Sequence, residues 1–65
     1  MTNDIARLHD LLNQSMELLD EAATLVEPSG VQPKQQSMKL IGLAIGEILN
    51  VRKFVYDTEP SLRED

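Results

Sequence analysis

The sequence predicts an all-α protein: an antiparallel helical hairpin that dimerises into a four-helix bundle. Three observations predict it. Two stretches of about 23 residues each carry apolar side chains at helical spacing. One short segment rich in proline and glycine joins them. The apolar stripe is wider than two helices packed only on each other can cover.

The first helix is expected over residues 4–26, where there is no Gly or Pro. With Ile5 as heptad position a, Ile5, Leu12, Leu19 and Val26 fall at a, and Leu8, Ser15 and Ala22 at d. Leu11, Leu18 and Leu25 fall at g, and His9, Met16 and Ala23 at e. Arg7, Asp10, Asn13, Gln14, Glu17, Asp20, Glu21 and Thr24 fill b, c and f, which makes the helix amphipathic. Asn3 or Thr2 supplies the N-cap, and Asp4 complements the helix dipole.

The turn is expected at residues 27–32. Glu27 and Gln32 each precede a proline and are pushed away from the α region, and Gly30 tolerates positive φ. Two starts compete for the second helix: Pro33 as its first residue, or a capping box from Ser29 to Gln32. That helix is expected over residues 33–57, with Met38, Ile41, Ile45, Ile48 and Val55 on its stripe and Arg52 interrupting it. Glu59-Pro60 ends it. The domain is thus a hairpin over residues 1–57, followed by a flexible acidic tail, 58–65. Residues 1–32 carry a net charge of −5 and residues 33–57 a net of +2, so the two helices attract.

Composition narrows function mainly by exclusion. A chain of 65 residues buries only ~60% of its unfolded surface and commonly needs extra support. With no cysteine, disulfides, thiolate metal sites and a cysteine nucleophile are excluded. A net charge of −5 argues against nucleic acid and anionic membranes as partners. No secretory leader is expected, since Met1-Thr2-Asn3-Asp4 begins no basic or apolar stretch, and the most apolar run, residues 38–51, is shorter than the ~20 residues a membrane span needs. A cytoplasmic location follows as the expectation.

The chemistry-bearing residues are sparse. His9 has no carboxylate or nucleophile aimed at it. Glu17, Asp20 and Glu21 share a helix face but lack the Glu-x-x-His pattern of bundle di-metal sites. Ser15 lacks a base. No catalytic, cofactor-binding or metal residue is assigned, and the protein is not expected to be an enzyme.

What the sequence does offer is interface. Leu11, Leu18 and Leu25 on the first helix, with Leu40, Leu43, Phe54 and Tyr56 on the second, form rows outside the main seam. They are assigned to a dimer or partner surface, since an aromatic among aliphatics makes a good anchor. Gly42 and Gly46 each cost ~1 kcal/mol against Ala in a helix, so they call for a packing reason. With the helices paired about Gly30, facing residue numbers sum to about 60. Ser15 then lies level with Ile45, between the glycines, and a close helix approach is expected at Ser15, Gly42 and Gly46. The same register sets Arg52 level with Leu8, where a semi-buried ion pair with Asp4 or Asp10, within or between chains, is expected.

The leading expectation is therefore a small acidic interaction module, a homodimeric regulator or adaptor that docks on a larger protein. One alternative is a nucleic-acid-binding regulator using Lys34, Lys39, Arg52 and Lys53 of the second helix. In length and expected architecture the chain is similar to the dimeric helical-hairpin RNA-binding regulators of plasmid copy number, a likeness of size and shape with no shared motif. A second alternative is a small-ligand binder at the Gly42 and Gly46 layer.

Overall fold

Asn3–Ser29 forms α1 and Lys34–Thr58 forms α2, and the two pack antiparallel along their length in the computed structural model, which describes residues 3–63. The expected hairpin is present. A 3-10 turn, Pro60–Arg63, follows α2 and packs against it.

α1 runs three residues further than the proline at position 28 suggests. A proline in the last turn forfeits one backbone bond at the point where the helix is ending anyway. The end is then closed by side chain and glycine. Ser29 Oγ donates to the Val26 carbonyl (2.9 Å) and accepts from the Val31 amide (3.2 Å). Gly30 has φ +77°, and its amide donates to Glu27 O at 3.1 Å. Ser29 is thus occupied at the end of α1, and no capping box starts α2. Pro33 itself is the N-cap, with extended φ −77° and ψ 134°, and its carbonyl accepts from both the amide and the hydroxyl of Ser37.

At the other end the Glu59 amide bonds Val55 O at 2.8 Å, and the Thr58 hydroxyl bonds Phe54 O. Thr58 is the last residue of α2, Glu59 is its C-cap, and Pro60–Arg63 form the 3-10 turn. Ser61 Oγ donates to Glu59 Oε2 (2.8 Å), and Leu62 is half-buried. Residues 64 and 65 lie outside the described residues, as does Thr2.

The longer α1 moves the pivot of the hairpin, and with it the register. His9 meets Tyr56 and Asn13 meets Arg52, so facing residue numbers sum to 65 there, five more than pairing about Gly30 gives.

The molecule measures 44 × 22 × 15 Å. Its thin dimension is a single layer of helices, each ~10–12 Å across. Domains need two packed layers to enclose a core. Accordingly, among the described residues only Val26 (5% exposed) and Val55 (4%) are buried, one near each end of the hairpin.

Candidate interaction surface

The face of α1 turned toward α2 is built from positions a and e. Ile5, His9, Leu12, Met16, Leu19 and Ala23 are half-buried there and Val26 is buried. The a row makes this seam as expected, but with e beside it rather than d. Leu8 and Ala22, at d, are exposed together with Leu11, Leu18 and Leu25 at g. Leu8, Leu11, Ser15, Leu18, Ala22 and Leu25 therefore form a second heptad-spaced row, about 110° round the helix from the first.

α2 repeats this arrangement. Ile41, Ala44, Ile45, Ile48 and Val55 face α1, whereas Leu40, Leu43, Val51 and Phe54 are exposed. In helical phase these exposed residues precede the seam, as the d and g row does on α1. For two antiparallel right-handed helices, equal phase offsets fall on the same side of the plane through both axes. The two rows thus merge into one apolar face along one side of the hairpin, with Leu18 66% and Phe54 63% exposed. It includes six of the seven residues assigned to an interface from sequence.

Tyr56 is the exception. It sits in the seam, about 200° round the helix from Phe54. There it completes a polar layer with His9, Asn13 and Arg52. Arg52 Nη1 donates to Asn13 Oδ1 at 2.8 Å. A guanidinium has no acceptor, so this bond fixes the amide and turns Asn13 Nδ2 toward His9 Nε2, 3.3 Å away. The Tyr56 hydroxyl lies 2.9 Å from the same Nε2. The His9 and Tyr56 rings are tilted by 59° with centroids 5.2 Å apart, and the Arg52 guanidinium carbon lies 5.8 Å from the Tyr56 centroid.

This layer corrects the ion pair expected of Arg52. Within the chain its partner is Asn13 rather than Asp4 or Asp10. The five-residue shift in register sets Arg52 level with Asn13, and Asp10 at position f is exposed on the outer side of α1. The only ion pair among the described residues is Lys34–Glu27, at 3.9 Å between exposed side chains, worth ~0–1 kcal/mol.

The close approach expected at Ser15, Gly42 and Gly46 is not made within the hairpin. Both glycines are exposed, and a methyl group built on either would meet nothing within 4 Å. They lie on the side opposite the apolar face, whereas Ser15 lies on that face with its hydroxyl bonded to Leu11 O at 2.8 Å. With no steric cost, helix propensity decides. Gly42→Ala and Gly46→Ala should each stabilise by about 1 kcal/mol, a rise of about 4–8 °C in thermal midpoint at fixed concentration. A fall for either would mean that another chain packs against that glycine.

The remaining features offer little chemistry. A groove of about 490 Å³ lined by Asn13, Met16, Glu17, Asp20, Ile45 and Arg52 runs beside the polar layer and is open to solvent; neither glycine lines it. Among the described residues no group of three His, Asp or Glu side chains is placed to hold a metal ion, and no helix is long and apolar enough to cross a membrane. The basic residues of α2 do not form one patch. Lys34 and Arg52 are ~27 Å apart along the helix, and each already faces a partner on α1.

The chain matches no protein-family model, and no curated protein or solved structure is significantly similar to it.

Proposed function

We propose that the protein is a non-catalytic interaction module, a homodimer whose two hairpins form a four-helix bundle and which regulates or bridges a larger protein partner. The observation that carries this reading is the apolar face: Leu11, Leu18, Leu25, Leu40, Leu43 and Phe54 are exposed along one side of a molecule with two buried residues. Each such side chain is worth ~1.5–3 kcal/mol when fully buried, and a single layer of helices has nothing on that side to bury it.

Area supports the same reading. The chain exposes 5001 Å², about 800 Å² more than a compact monomer of its 7.3 kDa mass. That excess is roughly what each partner buries in a standard-size specific interface, ~800 Å².

Sedimentation equilibrium over a range of concentrations, with helicity followed in parallel, tests the dimer. Twice the chain mass is expected at micromolar concentration, with a thermal midpoint that rises with concentration because only association covers the face. A folded monomer persisting at high micromolar concentration would remove the proposal. Docking on a larger partner is tested by capture from the native host with the wild-type dimer and a surface-charge variant side by side.

A further inference from the structure

We infer that the two copies stack with their hairpins parallel, turns at the same end of the bundle, so that α1 of each chain lies against α2 of the other. This rests on the dimer proposed above and specifies its geometry. Two symmetric arrangements cover the apolar face while keeping every neighbouring helix antiparallel. A two-fold axis along the bundle sets α1 on the partner's α2. An axis across the bundle sets α1 on α1 and α2 on α2.

Charge separates them. α1 carries a net −5 and α2 a net +2. The crosswise arrangement places two −5 helices side by side at ~8–10 Å, within a Debye length at physiological salt. The lengthwise arrangement gives every α1 two α2 neighbours of opposite sign.

Glu47 argues in the same direction. It lies on the apolar face between Leu43 and Val51, and α2 has its midpoint at residue 46. A crosswise axis at mid-height brings the Glu47 carboxylates of the two copies together on an otherwise apolar surface, where like charges repel most strongly. A lengthwise axis instead places the two Glu47 carboxylates on diagonally opposed helices, each level with the partner's Leu18.

Register is compatible with the lengthwise axis. A lengthwise axis leaves heights unchanged, so the spacing that matches Asn13 to Arg52 within a chain also operates between chains. It pairs Leu25 with the partner's Leu40 and Leu11 with the partner's Phe54, apolar against apolar at both ends.

The chain contains no cysteine, which makes disulfide mapping clean. Leu25→Cys in isotopically labelled protein is mixed with unlabelled Leu40→Cys, exchanged under reduction and mildly oxidised. Leu11→Cys with Phe54→Cys probes the other end, so the test survives if one variant fails to fold. Leu25→Cys with Leu11→Cys reports the crosswise arrangement. The expected result is a mixed-label covalent dimer from the first two pairs at several times the yield of the third. Cross-linking of Leu25→Cys with Leu11→Cys at equal or higher yield overturns the inference and leaves the dimer standing. A reduced wild-type protein that sediments as a monomer overturns both, and a dimer that cross-links through none of the pairs overturns the parallel geometry.

Discussion

Replacing Leu18 by glutamate is expected to weaken self-association by about two to four orders of magnitude. Leu18 is the most exposed apolar residue of the face in the isolated chain, at 66%. Glutamate is nearly as good a helix former as leucine, so the hairpin itself loses little. In a dimer the change removes two leucines from the interface, each worth ~1.5–3 kcal/mol, and the ~3–6 kcal/mol total converts at ~1.4 kcal/mol per decade. With two buried residues per chain, the separated hairpins should also lose most of their helicity. Gln35→Glu is the control. It makes the same charge change in the first turn of α2, where the helix dipole favours a carboxylate, and should leave mass and midpoint unchanged or slightly raised. If Leu18→Glu behaves like its control, the apolar face is not where the chains meet.

The helices were legible because their periodicity is strong, but the seam was not. α1 carries two heptad-spaced rows, Ile5-His9-Leu12-Met16-Leu19-Ala23-Val26 and Leu8-Leu11-Ser15-Leu18-Ala22-Leu25, and a period alone does not say which row meets the chain's own second helix. Once the seam is assigned, the outer rows follow, so six of the seven residues assigned to a surface from sequence lie on the exposed apolar face. The polar layer was harder. His9 and Asn13 are four apart, as are Arg52 and Tyr56, so each pair shares a face of its helix. Bringing the pairs together needs the register, and the register depended on Pro28. Read as a breaker, Pro28 moves the pivot to Gly30; in the structure the Ser29 hydroxyl and the positive φ of Gly30 close α1 beyond it. The glycines failed for a related reason. Their identity signals room for a neighbour, and only the fold shows that the room is empty.

The polar layer is expected to behave as a coupled unit. Asn13→Leu removes the acceptor of Arg52 and leaves a half-buried guanidinium without its protein partner. Hydrogen bonds to charged groups contribute ~1.5–3 kcal/mol, so the thermal midpoint should fall on the order of 10 °C. Adding Arg52→Met should recover most of that loss or exceed wild type. The seam is then apolar at that height, and neither a charge nor an amide has to be desolvated there. The double variant should also hold its register less tightly, since one of the two bonds that select a sum of 65 over neighbouring pairings is gone. Midpoints of the four proteins of the cycle, measured at one concentration, give the coupling directly. If Asn13→Leu alone raises the midpoint, Arg52 does not depend on Asn13 in solution, and the layer does not set the pairing of the helices.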